Sequence, residues 1–179
     1  MSRKFKLTAD GGSRGNPGPA GYGAVVTENG KIVAELFDVI GIATNNVAEY
    51  SGLLAGLSHI HKLDAAATVE VAMDSKLVVE QMSGRWQIKH ADMRDLAKQC
   101  RDAHPASLVT YSWIPRDENS HADRLANKAL DGGSAHKPAP VIQQNFLTDR
   151  LRSAEIPTFI YFVRHGETIL TPQRKFSGT

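Results

Sequence analysis

Lys4-Phe5-Lys6-Leu7-Thr8-Ala9-Asp10-Gly11-Gly12-Ser13-Arg14-Gly15-Asn16-Pro17-Gly18-Pro19 begins as an alternating run and breaks, at an acid, into glycine and proline. Alternation over residues 3–9 predicts a strand with one buried face, because side chains two apart share a side of a sheet. Asp10 closes that strand, and the residues behind it are turn formers. Working outward, residues 21–28 and 31–40 read as two further strands. Asn29-Gly30 between them is a two-residue turn signal, so they form a hairpin. Three antiparallel strands at the start set the fold class.

Beyond the hairpin the period changes. Residues 46–62 carry Tyr50, Leu53, Leu54, Leu57, Ile60 and His61 at helical spacing. Gly52 and Gly56 share that face at a cost in helix propensity, which implies close approach to the sheet. A strand at 68–73 and a helix at 75–83 follow. Gly84-Arg85-Trp86-Gln87-Ile88-Lys89 is irregular, a helix runs over 91–103, and His104-Pro105 ends it. A strand at 108–114, a turn at 115–118 and a helix at 120–130 complete the pattern. A three-strand meander followed by strand–helix units predicts a mixed sheet flanked by helices, in the α/β class. Gly132-Gly133-Ser134 then breaks the periodicity. The expected organisation is a domain over 1–134, a linker over 135–157 and the opening of a second domain over 158–179.

The 179 residues suit one domain with an appendage, and 41% hydrophobic with 22% charged residues is ordinary for a chain with a core. Cys100 is the single cysteine, which excludes an intrachain disulfide and a multi-cysteine metal site. No cationic-then-apolar leader and no apolar run of spanning length is present. A soluble, cytoplasmic monomer with no membrane contact is therefore expected. Net charge is +2, from 21 Lys+Arg and 19 Asp+Glu. Over residues 1–134, 15 cations against 16 acids leave −1; over 135–179, 6 against 3 leave +3. The globular part is not the strongly basic object many nucleic-acid binders are.

Four acids stand at element ends: Asp10, Glu49, Asp74 and Asp123. Each has a purely structural alternative. Asp10 is a turn residue before two glycines. Asn46-Val47-Ala48-Glu49 and Ser120-His121-Ala122-Asp123 fit capping boxes, and Asp74 could cap the helix after it. Together they read differently. Carboxylates gathered at one sheet edge hold hard divalent cations, which prefer oxygen ligands.

The order and settings of these acids, with Thr44-Asn45-Asn46 before Glu49, Ser75 after Asp74 and Glu118-Asn119-Ser120-His121-Ala122-Asp123-Arg124-Leu125-Ala126 around the last, resemble type 1 ribonuclease H. The resemblance covers residues 1–133 and implies the ribonuclease H fold, a five-stranded mixed sheet flanked by helices. It implies hydrolysis of the RNA strand of RNA/DNA hybrids to 5′-phosphate and 3′-hydroxyl ends, with two Mg²⁺ ions and Mn²⁺ as a substitute. Asp10, Glu49 and Asp74 would hold one ion, and Asp10 and Asp123 the other. Gly11, Asn16, Thr44, Asn45, Ser75, Trp86, Arg116 and Asn119 would meet the substrate. Gly15, Gly18, Gly21 and Gly23 would let backbone approach the sugar–phosphate chain. Thr44 could equally cap its helix, and Trp86 could stack on a sugar or lie in the core.

Two features depart from the family pattern. The loop 115–119 lacks the histidine that many members place before the last aspartate, and Arg116 is a candidate to cover for it. His121 lies two residues from Asp123, a spacing that does not face it on a helix. The basic, tryptophan-rich protrusion of many members is reduced to residues 84–89. His59, His61, His90, His104 and His136 lack metal-ligand spacing and read as surface or packing residues. Finally, Phe162-Val163-Arg164-His165-Gly166-Glu167-Thr168 resembles the opening of the histidine phosphatases, where the histidine takes the phosphoryl group beside arginines. No histidine follows His165. The whole resembles the first domain of a ribonuclease H/histidine phosphatase fusion that stops just inside its second domain, with Arg164 and His165 as its remnant. A hybrid- or duplex-RNA-binding module without catalysis and a phosphomonoesterase fragment are the alternatives.

Overall fold

The alternation that opens the chain extends through the acid and into the glycines. In the computed structural model, which describes residues 3–132, strand β1 spans Lys4–Ser13 and β2 spans Gly18–Glu28. Gly11, Gly12 and Ser13 pair with Tyr22, Gly21 and Ala20, so Asp10 lies within a strand instead of closing it. Strand β3, Lys31–Ala43, runs three residues past its expected end and returns antiparallel along β2. Asn29 and Gly30 both take positive φ, as a tight hairpin turn requires.

Helix α1 (Asn45–Leu63) leads to β4 (Thr68–Met73), α2 (Lys76–Met82) and α3 (Ala91–Ala103). Strand β5 (Val109–Trp113) and helix α4 (Ser120–Leu130) follow, with short 3-10 turns at Ala106–Leu108 and Arg116–Asn119. The sheet order is β3-β2-β1-β4-β5. β1 is antiparallel to β2 and parallel to β4, and β4 is parallel to β5. This is the expected five-stranded mixed sheet.

Alternation gives each sheet face its own core. Phe5, Leu7 and Ala9 point to one side with Ala24, Val26, Val69 and Val71, and meet Tyr50, Leu53, Leu57 and Ile60 of α1. Met93, Ala97 and Cys100 of α3 join that cluster, and Cys100 is a buried free thiol. Each large aliphatic side chain buried here stabilises the fold by about 1.5–3 kcal/mol. A smaller cluster on the other face joins Val25 and Phe37 to Leu125 and Ala129 of α4. The expected close approach at Gly56 holds, since a Cβ there would run into the Leu7 side chain.

Helix starts depart from the capping boxes read in the sequence. Thr44 is the N-cap of α1, its hydroxyl accepting from Val47 N–H at 3.4 Å, so Glu49 lies too far along to close a box. Ser75, not Asp74, caps α2 by accepting from Val78 N–H at 3.4 Å. The N-cap of α4 is Asn119 and makes no side-chain cap bond, which leaves Asp123 within the helix. None of the three acids therefore serves as the side-chain cap of its helix. Among the described residues, no helix is long and apolar enough to cross a membrane. The chain divides into units Met1–Val141 and Ile142–Thr179. The expected linker, the second-domain fragment, Arg164 and His165 lie outside the described residues.

Candidate active site

Two glycines and a strand pairing bring three acids to Asp10. Asp10 stands opposite Gly23 in the β1–β2 ladder. A side chain at Gly23 would collide with Ala122 O, Ala126 N and the Leu125 side chain, so the first turns of α4 lie directly on β2 there. That contact carries Asp123 to Asp10 from one face. On the other, a side chain at Gly11 would collide with the α1 backbone at Ala48 and Glu49, which sets Glu49 beside Asp10. Asp74 arrives along the sheet: Thr8 pairs with Ala72 in the parallel β1–β4 ladder, so Asp10 and Asp74 emerge side by side two residues later. Gly11 and Gly23 thus have a packing reason, where the sequence suggested access for a substrate backbone.

The electrostatics of this convergence are unfavourable without a cation. Asp10 is only 9% exposed. Burial, reinforced by Asp74 and Asp123, pushes its carboxyl up to about 7 against the opposing Gly11 N–H and Arg116. Glu49 is also raised to about 7, chiefly by burial and then by Asp10 and Asp74, with the Ser75 hydroxyl and Arg116 working against the rise. Glu49 Oε2 is buried with no hydrogen-bond partner among the described residues. A buried Asp10 carboxyl and a half-buried Glu49 carboxyl, both raised to about 7, and the unpartnered Glu49 Oε2 suit an oxygen-preferring divalent cation. Among the described residues no three acids close into a ready cage. Asp123 accepts from Arg116 at 3.2 Å and from Asn127 at 3.1 Å. The donor set and its charge fit a cation.

Asn119, expected as a substrate contact, bonds within the protein to β1 and to Asp74 just after β4. It is 2% exposed, and its amide nitrogen donates to Ala9 O at 2.9 Å and to Asp74 Oδ1 at 2.6 Å. One buried side chain thereby ties the residue before Asp10 to the Asp74 carboxylate. Trp113, half-exposed at the end of β5, donates its indole N–H to Asp74 O at 3.0 Å. Sequence reading missed Trp113 and Asn127. Asn127 was accessible in principle, since it lies one helical turn beyond Asp123; Trp113 left no local signal.

A second cluster adjoins the acids. Ser13 N–H and Oγ both donate to Asn45 Oδ1, at 2.7 and 2.8 Å, and Asn45 N–H donates to Asn16 Oδ1 at 3.3 Å. With its oxygen committed, Asn45 offers outward the two donors of its amide nitrogen. Asn45 and Asn16 therefore stand together, joined by Ser13, with Thr44 next to Asn45 in the chain. His121 faces away, its Nε2 2.5 Å from Glu35 Oε1, in agreement with the helical argument. His104 is buried and held by Ala67 O. Trp86 is 47% exposed and so is not core; no hydrogen bond among the described residues joins it to the acids. Arg85 pairs with Glu80.

A protein family described as reverse transcriptase-like matches residues 8–129. A bifunctional protein of Mycobacterium tuberculosis is 47% identical over 185 aligned residues, covering 98% of this chain and 50% of the relative. The chain spans about half the length of the curated relatives of this kind that it matches. Among solved structures, the N-terminal RNase H domain of a Mycobacterium tuberculosis protein, fused to maltose-binding protein, superposes with a TM-score of 0.69 at 55% identity, covering 73% of this chain and 96% of that one. LC11-RNase H1 in complex with an RNA/DNA hybrid gives a TM-score of 0.67 at 36% identity, covering 72% and 97%.

Proposed function

The chain belongs to the type 1 ribonuclease H family, and from that premise we propose that it is an endonuclease hydrolysing the RNA strand of RNA/DNA hybrids to 5′-phosphate and 3′-hydroxyl products. The observation that carries the reading is the convergence of Asp10, Glu49, Asp74 and Asp123, with the Asp10 and Glu49 carboxyls both pushed up to about 7 by burial and by their acidic neighbours. A related enzyme, LC11-RNase H1, is known with such a hybrid bound.

Asp10, Glu49 and Asp74 would hold one divalent ion and Asp10 and Asp123 a second, with Mg²⁺ as the natural cation and Mn²⁺ able to replace it. When bound, the pair supplies an activated water and neutralises the leaving oxygen. The chain's own residues do the rest. Asn119 holds Asp74 in register with the Asp10 strand. Asn45, held by Ser13 and Asn16, presents amide donors to backbone oxygens and to the 2′-hydroxyl, the group that separates RNA from DNA. Gly11, Thr44 and Ser75 line the same edge, and Trp86 offers an exposed ring to a sugar. Arg116 is 80% exposed at its side chain and pairs with Asp123. Released from that pair, it supplies positive charge where other members carry the loop histidine.

We read the protein as a cytoplasmic monomer and residues 158–179 as the opening of a second, phosphatase-like domain, in keeping with the bifunctional name of its relative. End-labelled hybrid, duplex RNA and duplex DNA, each incubated with Mg²⁺, Mn²⁺ or chelator, test the main reading. Cleavage of the RNA strand of the hybrid with either cation and none with chelator is expected. Retention of the hybrid in a gel shift without metal-dependent cleavage would make the chain a binding module instead.

A further inference from the structure

Arg14 is a cation that the reading above leaves unused, carried on a backbone with little freedom to move. Its N–H donates to Pro19 O at 2.8 Å, Ser13 before it is tied to Asn45, and Asn16 after it accepts from Asn45 N–H. Gly15 takes φ +100°, and a side chain at Gly18 would collide with the Arg14 carbonyl, so the turn closes tightly on itself. The guanidinium is not so constrained. It pairs with Asp131 at the C-terminal end of α4, and the two side chains are 56% and 66% exposed. An ion pair this open to water is weak and readily exchanged. A phosphate offers the guanidinium the better partner, since two of its oxygens match the planar fork of N–H donors.

We propose that Arg14 exchanges Asp131 for a phosphate of the hybrid strand lying across the Asn16–Asn45 platform, and that Asp131 is the built-in competitor setting how readily it does so. The inference rests on the hybrid-nuclease reading and adds to it a substrate-binding residue with a counterion. Its place in the chain supports this: Arg14 stands between Ser13 and Asn16, both bonded to the exposed Asn45, whose amide nitrogen makes no hydrogen bond among the described residues. The charge balance supports it too. Residues 1–134 carry 15 cations against 16 acids, so a single cation at the substrate edge matters more than on a basic surface.

The test is hybrid affinity across a salt series, with Ca²⁺ in place of Mg²⁺ so that the strands stay intact, for the unaltered chain, Arg14→Ala, Arg14→Lys, Asp131→Asn and the Arg14→Ala/Asp131→Asn pair. Arg14→Ala should weaken binding about fivefold and remove roughly one unit from the slope of log affinity against log salt. Arg14→Lys should keep most of that slope, since the charge remains. Asp131→Asn should tighten binding about threefold, by removing the competing ion pair, and this gain should vanish when Arg14 is also replaced. Unchanged affinity and slope in Arg14→Ala overturn the inference, as does an Asp131→Asn gain that persists without Arg14, which would mark general repulsion. Cleavage by the unaltered chain is followed in parallel. Normal cleavage with an unaffected Arg14→Ala sinks this inference alone, whereas an unaltered chain that neither binds nor cleaves hybrid sinks the functional reading with it.

Discussion

Asp10 carries the energetic cost of the site. A carboxyl whose folded value is raised from 3.8 to about 7 binds its proton more tightly in the folded state than in the unfolded one. The resulting penalty is absent below the unfolded value, where both states are protonated, grows as pH rises, and is complete above about 7. Asp10→Asn removes it and also relieves Glu49, which Asp10 pushes up. Without divalent metal, that substitution should stabilise the domain by roughly 1–3 kcal/mol at pH 8 and by little at pH 4. Thermal unfolding in chelator at the two pH values checks this, and equal effects at both would mean the buried charge is already compensated. Hybrid cleavage should be lost in the same protein, because the amide keeps the shape but not the charge that holds a cation. Asp74→Asn should be as severe. Glu49→Gln should be nearly so, and Asp123→Asn milder, because Asp123 is assigned to one ion only. Wild-type turnover by purified Asp10→Asn would remove the assignment. Asn119→Ala should lower turnover without abolishing it. It frees Asp74 from the Asp10 strand and leaves Ala9 O without that donor, at a stability cost of about 1–3 kcal/mol.

At the level of elements, the acids were legible and the contacts that assemble them were not. Order, strand periodicity and the hairpin signal gave every helix and strand of the described domain, with ends displaced by a few residues. The largest displacement is at β1. Glycines and prolines after Asp10 read as a turn, yet Gly11–Ser13 are kept extended by pairing with Ala20–Tyr22, an outcome decided by the partner strand. The capping-box alternatives fail because Thr44 and Asn119, not Asn46 and Ser120, hold the N-cap positions of α1 and α4, and Ser75 caps α2 in place of Asp74. The bonds of Asn119 were not legible because its partners lie 110 and 45 residues away in sequence, where no local pattern can reveal them. The glycines at 11 and 23 carry a related prediction. Gly23→Ala forces a methyl into the backbone of α4 at Ala122 and Ala126, and Gly11→Ala does the same at the start of α1. Each should cost about 3 kcal/mol. Turnover should also fall beyond the loss of folded protein, because Asp123 or Glu49 is displaced from Asp10. Denaturant titration paired with cleavage rates normalised to folded fraction separates the two effects. A Gly23→Ala protein of unchanged specific activity would show that α4 need not touch β2 for Asp123 to serve.

Across the whole molecule, charge decides how tightly a polyanion is held. Residues 1–134 balance to −1, with four acids concentrated at the site, so no global positive field draws the hybrid in. The segment that replaces the basic protrusion supplies little: Arg85 is paired with Glu80, Trp86 is exposed but neutral, and Lys89 is the remaining cation. Every described residue assigned to the site precedes Asp131, so a chain ending near Ser134 should cleave hybrid as the 179-residue chain does. Its affinity should also be modest. Each neutralised phosphate contributes slightly less than one unit to the slope of log affinity against log salt on a duplex. With three or four such contacts, Arg14 and Arg116 among them, the slope should be roughly −3. Inserting a lysine- and tryptophan-rich segment between Gly84 and Ala91 should tighten binding and steepen the slope, while single-turnover cleavage of bound hybrid changes little, because the added contacts act on ground and transition states alike. Hybrid binding in Ca²⁺ over a salt series, with single-turnover rates in Mg²⁺, measures both. A slope near −8 for the unaltered chain would mean that cations elsewhere on the surface form a phosphate track, since a net charge of −1 excludes so steep a dependence only if those cations are scattered.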